Sequence, residues 1–169
     1  TQNPIEQAGT YPLPEAQLDR FLLFVKIGYP TEQEEYGILS STTGSKTQTV
    51  EPVLTGEEIR QIQSLVRDVS ISDDLISYVG KLIRTSRPDT TTSDYVKDWV
   101  RWGAGPRAGQ ALILTAKARA LLKGRYAVIM EDLHSMAYPV LRHRILVNFK
   151  AEAENVSTDL VTAELIRTI

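Results

Sequence analysis

Gly9-Thr10-Tyr11-Pro12-Leu13-Pro14-Glu15-Ala16-Gln17-Leu18-Asp19-Arg20-Phe21 is the stretch that decides how the rest of the chain is read. Each proline fixes its own φ and pushes the residue before it out of the α region, so Tyr11 to Pro14 reads as a rigid extended lead-in. Pro14 suits the first turn of a short helix, with Glu15 near its favourable N-terminal end. Leu13, Leu18 and Phe21 are expected to anchor that turn in a core, leaving Asp19 and Arg20 at its exposed end. A turn held in this way presents a permanent planar cation, the kind of group that pairs with phosphate.

On the N-terminal side, Thr1 to Pro4 reads as the end of a strand running into a loop. That would put Asn3 where open α/β sheets place their ligands; a turn asparagine before proline is the plainer alternative. On the other side, residues 21–28 are short and almost continuously apolar, the pattern of a strand buried on both faces of a parallel sheet. Thr31 with Glu34 makes a capping box, and the helix it opens should run to about Ser41. Residues 45–52 are polar and read as a loop. From Thr55 the pattern is helical: Thr55 with Glu58 is a second box, and Ile59, Ile62, Leu65 and Val66 share a face. Ser72 caps the next helix, with Leu75, Ile76, Val79, Leu82 and Ile83 inward. Trp99 and Trp102 lie three apart and are expected to face inward from one turn as core anchors. Gly105-Pro106-Arg107 then opens a long helix whose expected apolar face is Ala111, Leu114, Ala118, Leu121 and Leu122. A cation such as Arg107 in a first turn opposes the helix macrodipole, a conflict that a bound anion would remove; a surface arginine is the alternative. Pro139 is expected to break or kink the helix that begins near Glu131. Lys150 to Val156 reads as a polar connector, and residues 160–169 as a terminal helix.

Composition bounds the possibilities. With 169 residues, 42% of them hydrophobic and 24% charged, the chain is ordinary globular material, large enough for one good domain. It has no cysteine, which excludes a disulfide framework and a thiolate metal site. Two histidines, His134 and His143, give no ligand set, so no metal site is assigned. Net charge is −2, yet residues 101–150 carry nine Lys/Arg (Arg101, Arg107, Lys117, Arg119, Lys123, Arg125, Arg142, Arg144, Lys150) against Glu131 and Asp132. A solvated helix surface is the expected role for most of these, with Arg107, Arg142 and Arg144 set apart. No recognition helix or aromatic ladder accompanies the charge, so nucleic acid is not expected as a partner. No apolar run reaches spanning length, so membrane insertion is not expected, and a cytoplasmic location is.

Three blocks of this sequence carry a resemblance. Thr1-Gln2-Asn3-Pro4-Ile5-Glu6 followed by residues 9–21 resembles the second half of the ATPase core in the MoxR family of AAA+ ATPases. Gly105-Pro106-Arg107-Ala108, opening a helix, is similar to the segment that carries that family's lid arginine. Val140-Leu141-Arg142-His143-Arg144-Ile145 resembles its last lid segment. The family's phosphate loop, Gly-x-x-x-x-Gly-Lys-Ser/Thr, occurs nowhere in the chain, nor does its acidic magnesium-binding strand. The chain is therefore read as the C-terminal piece of a longer ATPase.

The resemblance implies a mainly α fold: a helical-bundle AAA+ lid domain at 31–169, preceded at 1–30 by a strand-containing remnant of the α/β ATPase core. It implies that Arg20 is an arginine finger completing a neighbouring subunit's site, and that Asn3 is the first nucleotide sensor, orienting the attacking water. Arg107 would be the second sensor, binding nucleotide phosphates from the lid, and Asn3 and Arg107 would both serve the subunit's own nucleotide. The cofactors implied are ATP and Mg2+, bound mainly by the N-terminal half, so this piece should be inactive alone. The partners implied are further copies in a ring, typically a hexamer, and a protein with a von Willebrand factor A domain whose remodelling or maturation is driven by ATP hydrolysis. A magnesium-chelatase-type ATPase subunit, which shares the Asp-Arg-Phe ending, is the nearest alternative. A non-catalytic helical interaction module is the other. That last reading requires the 169-residue chain to hold no ATP by itself, and tight, saturable ATP binding in a titration calorimeter would rule it out.

Overall fold

The computed structural model describes residues 13–44 and 50–169. In chain order the elements are α1 (Glu15–Leu18), α2 (Glu32–Thr42), α3 (Gly56–Asp68), α4 (Asp73–Thr85), α5 (Asp94–Trp99), β1 (Val100–Trp102), α6 (Pro106–Leu122), α7 (Met130–Leu141), β2 (Leu146–Val147), α8 (Phe149–Ala153) and α9 (Thr158–Thr168). The fold is mainly α, as expected. The chain divides into two compact units, one made of the residues up to Phe24 together with Leu65–Ile169, the other of Val25–Ser64. Among the described residues no helix is long and apolar enough to cross a membrane.

The smaller unit shows sequence-coded caps. Thr31 Oγ1 accepts from Glu34 N–H, and the Glu34 carboxylate accepts from Thr31 N–H at 2.8 Å. Thr55 and Glu58 repeat the pattern at 3.2 and 2.7 Å. Each box satisfies two backbone donors that a helix start leaves orphaned. These bonds hold both carboxyls below the usual glutamate range.

In the larger unit α6 is the central helix, packed on α7 and α4, with α9 covering α7. Leu82, Leu112, Leu133, Leu141, Ile145 and Leu165 fill its interior. The buried side of α6 is Ala108, Ala111, Leu112, Thr115, Ala116 and Ala120, not the expected Leu114–Ala118–Leu122 side; Leu122 is 87% exposed. This helix is apolar around most of its circumference, so periodicity does not choose a face. Close approach by the neighbouring helix does: a Cβ on Gly109 would sit 3.6 Å from Val79 Cγ1 and 3.7 Å from Ile83 Cγ1. Those are ordinary van der Waals distances, so α4 packs at the range of a Cβ on this side of α6.

Several expectations are corrected. Residues 21–28 form no strand, because among the described residues no strand pairs with them; Phe24 N–H instead donates to Pro139 O at 2.8 Å. Trp102 is not a core anchor. It ends β1, which pairs antiparallel with β2, and is 68% exposed, while Trp99 packs on the core and carries Lys150 Nζ at 4.4 Å from its ring centroid. The helix at 130–141 runs through Pro139 to Leu141. Residues 150–153 continue α8, capped by Asn148 Oδ1 accepting from Ala151 N–H at 3.0 Å.

Arg119 and Arg125, expected on a solvated surface, are fasteners. Both pair with Asp132, which is fully buried in the first turn of α7. Arg125 bonds it in a two-pronged fork at 2.7 Å each, and Ile129 N–H donates to the same carboxylate at 3.0 Å. This cluster starts α7 without a hydroxyl cap and ties it to the last turn of α6. Arg125 above all, with Ile129 N–H and Arg119, holds the Asp132 carboxyl at about 2 against an ordinary 3.8, in spite of burial. Because the folded value is the lower one, the cluster's contribution is complete above about pH 4 and is lost as pH falls towards 2. A shift of that size corresponds to about 2 kcal/mol. Asp132→Asn should therefore lower stability at pH 7 by roughly 3 kcal/mol, since it leaves two guanidiniums uncompensated. Its denaturation midpoint should also be flatter than the wild type's between pH 4 and 2, which urea titrations at several pH values would measure.

Candidate functional site

Pro14, with φ −55° and ψ 142°, leads into the single turn of α1. Two further turns follow, Arg20 N–H to Gln17 O at 3.1 Å and Phe21 N–H to Leu18 O at 3.0 Å, and they carry Arg20 on a tight bend. The expected apolar anchorage of this bend is absent. Leu13 is exposed, Phe21 is 56% exposed, and Leu18 is only half-buried.

Polar groups from the end of α7 anchor it instead. Arg144 is only 6% exposed and uses all five of its N–H donors. Nε donates to Asp19 Oδ1 at 3.1 Å. Nη1 donates to Val140 O at 2.7 Å and Leu22 O at 3.3 Å, and Nη2 to Phe21 O at 2.6 Å and Asp19 O at 3.1 Å. The next residue back, His143, donates from Nε2 to Phe21 O at 3.0 Å and stacks on Phe24 with centroids 6.1 Å apart. Donating to that carbonyl fixes its tautomer and leaves Nδ1 without a proton, and Nδ1 is buried with no partner among the described residues. Burial first, and then the charge of Arg144, push the imidazole below its usual value, so it stays neutral. Arg142 forks between Asp159, at 2.8 and 3.0 Å, and Phe24 O at 2.9 Å. Three consecutive side chains leaving a helix C-terminus thus grip one extended segment. Two carbonyls that α7 leaves without intrahelical donors, those of Pro139 and Val140, are satisfied in the same contact.

A second set of contacts fixes the start of α6. Ser86 Oγ accepts from Ala104 N–H at 3.0 Å and donates to Ile83 O at 2.7 Å, and Arg87 Nε donates to Ala104 O at 3.1 Å. Gly103 lies against this helix end so closely that a Cβ there would come within 2.4 Å of Ser86 O. The C-terminus of α4 thereby locks the lead-in Gly103-Ala104-Gly105, and Pro106 begins the helix with Arg107 in its first turn.

The Arg107 guanidinium meets Asp19 Oδ2 at 3.4 Å, while Asp19 Oδ1 faces Arg144. One carboxylate therefore stands between two arginines from different elements, beside the free N–H groups of α6. Arg20, Arg107 and Arg144 line a single open cleft of about 370 Å³ with Asp19, Leu22 and Gln110. Among the described residues the Arg20 side chain makes no hydrogen bond or ion pair, and it is exposed. Arg20 and Arg107 are thus brought together. Asn3 lies outside the described residues. Asp19 and the anchoring pair His143 and Arg144 were not identified as site residues from sequence, although the Arg-His-Arg triplet after an apolar helix end was visible.

Comparisons with known proteins bear on the family of the chain. A family profile described as the AAA lid domain matches residues 93–165, and one described as the ATPase family associated with various cellular activities matches residues 1–23. The Chaperone MoxR1 of Mycobacterium tuberculosis is 36% identical over the whole of this chain and 45% of its own length. The Bacillus subtilis protein YeaC is 35% identical over the whole chain and 51% of its length. A solved structure of an ATPase candidate from Cytophaga hutchinsonii superposes with a TM-score of 0.91 at 33% identity, covering 99% of this chain and 52% of that one. The chain spans about half the length of the relatives it matches. It belongs to the MoxR family of AAA+ ATPases, of which it represents the C-terminal part with the helical lid.

Proposed function

We propose that the full-length protein hydrolyses ATP and uses the energy to remodel or mature a partner protein, with residues 1–30 ending the ATPase core and 31–169 forming the lid. Copies of the chain assemble in a ring, a hexamer by family resemblance. ATP and Mg2+ are held mainly by the half of the relatives that this chain does not span, Asn3 orients the attacking water, and the partner carries a von Willebrand factor A domain. The cytoplasm is the proposed location.

One observation carries this reading: an exposed guanidinium that pairs with no described residue, on a firmly held bend, shares a cleft with a second guanidinium at a helix start. A finger must stay free of internal partners until it meets the charge that develops on a transferring phosphoryl group, and Arg20 fits that description. Arg107 adds the local field of α6 to the same cleft. Resemblance alone put Arg107 on the subunit's own nucleotide. The cleft shared with Arg20 supports a different assignment, in which both arginines reach the nucleotide of a neighbouring subunit. Hydrolysis there would be sensed by the bend and by α4 to α9 together, because these belong to one compact unit.

In the full-length protein, Arg20→Ala should lower kcat for ATP by roughly a thousandfold with ring assembly intact, in line with the effect of arginine fingers elsewhere. Arg107→Ala should lower kcat/KM about tenfold or more. If both act on one nucleotide, the double variant should lose clearly less than the product of the two single losses, since groups serving one transition state are not additive. Steady-state turnover decides the matter: unchanged kcat in Arg20→Ala would overturn the reading, and strictly multiplicative losses would return Arg107 to its own subunit's site.

A further inference from the structure

Arg144 is a costly way to build an interior. Removing a guanidinium from water is unfavourable, and replacing buried ion pairs by well-packed apolar side chains is often neutral or stabilising. Only Asp19, itself half-buried, neutralises this one in a direct ion pair, and burial pulls the guanidinium below its usual value. What a guanidinium offers that an apolar side chain does not is direction: five N–H groups in one rigid plane.

All five are in use, and four of them go to one short stretch. The acceptors are Asp19 Oδ1, Asp19 O, Phe21 O and Leu22 O, with Val140 O on α7 as the fifth. The backbone is therefore fastened immediately before Arg20 and immediately after it, while the Arg20 side chain meets no partner among the described residues. His143 adds a sixth bond on Phe21 O. The one-turn helix α1 gives the bend little stiffness of its own, with Leu13 and Phe21 exposed and Leu18 only half-buried. We propose that Arg144 is a positioning residue for Arg20: it holds the bend against the end of α7 so that the Arg20 guanidinium is delivered in a fixed place. This rests on the reading of Arg20 as the group that completes a neighbouring subunit's nucleotide site. Asp19 gives the device a second output, since its other oxygen meets Arg107. The two proposed phosphate-facing arginines are then registered to each other through one carboxylate and one buried guanidinium.

The test uses full-length rings carrying Arg144→Lys. Lysine keeps the charge that faces Asp19, but a single ammonium cannot span acceptors spread over three residues and a helix end. We expect kcat to fall at least tenfold, towards the roughly hundredfold that a 1 Å misplacement costs. KM for ATP should stay within about twofold, with helix content by circular dichroism and ring assembly by sedimentation unchanged. Turnover should recover when these subunits are mixed with subunits that have an intact bend but a disabled nucleotide site of their own, and should not recover when they are mixed with Arg20→Ala subunits. A merely structural Arg144 would lower thermal stability and leave kcat per folded ring alone; that result, alongside an inactive Arg20→Ala, overturns this proposal and spares the finger. An active Arg20→Ala ring overturns both. Should Arg144→Lys lose helix content, His143→Leu replaces it. That variant removes the sixth bond and the stacking on Phe24 while leaving Arg144 in place, and should lower kcat about threefold; an unchanged value there overturns the proposal.

Discussion

A guanidinium buried with every donor satisfied is the constraint on which this molecule's functional end depends. Arg144 bonds three carbonyls and a carboxylate of the segment 19–22 and one carbonyl of α7. Any single bond of this kind contributes about 1.5–3 kcal/mol net. Their joint effect is geometric, because a planar fork with five fixed directions tolerates one arrangement of acceptors. The segment has little stiffness of its own: α1 is a single turn, 21–28 is without a ladder, and of its apolar residues Leu23 packs on the core. Arg142 and His143 extend the grip to Phe24, so three consecutive residues act on one strand of backbone.

The same economy recurs in the rest of the larger unit. The basic tract at 101–150 is largely consumed by the fold. Arg119 and Arg125 meet Asp132, Arg142 meets Asp159, Arg101 meets Glu15, and Lys117 donates to Arg67 O at 2.9 Å. The partly buried pairs join elements that the apolar core leaves at different angles, and they carry directional information that leucines do not. The exposed pair of Arg101 with Glu15 contributes little to stability by comparison. Net charge therefore says little here about partners. Arg20 shares with Arg67 and Arg84 the lack of an ion pair among the described residues; what sets it apart is its place beside Asp19, in the cleft that Arg107 also lines.

The sequence made the helical class legible because caps and periodicity are local. Thr31/Glu34, Thr55/Glu58, Ser72 and Pro106 mark helix starts wherever the chain goes. The same locality explains the misses. Which side of α6 is buried depends on where α4 and α7 lie, and an all-round apolar helix keeps that choice hidden. Apolar residues 21–28 read as a buried strand because a strand's partners are invisible in its own sequence. Leu13 and Phe21 looked like anchors since apolar side chains usually are, whereas the true anchor is an arginine more than a hundred residues away. Arg20 and Arg107 could be named from motif, but their common cleft could not, because it is created by the tertiary contact of Asp19 with α6. Trp102 misled for a related reason: three-residue spacing implies one helical face only if the helix continues, and here it gives way to β1 after Trp99.

Asp19 joins the bend to the start of α6 through one carboxylate. Its carboxylate occupies the position that helix electrostatics reserve for an anion, beside the first turn of α6 and a cation that would otherwise oppose the macrodipole. The two contacts it makes differ in kind. Towards Arg144 the bond is to an almost fully buried group, reinforced by four carbonyl contacts, and breaking it would strand a charge in the interior. Towards Arg107 the separation is 3.4 Å and the arginine is more than half exposed, so the pair is worth at most about 1 kcal/mol. An incoming phosphate carries more charge than a carboxylate and would outcompete it for Arg107 while leaving the Arg144 bond in place. The asymmetry lets one guanidinium change partners at little cost while the bend that carries Arg20 stays where the other guanidinium fixed it.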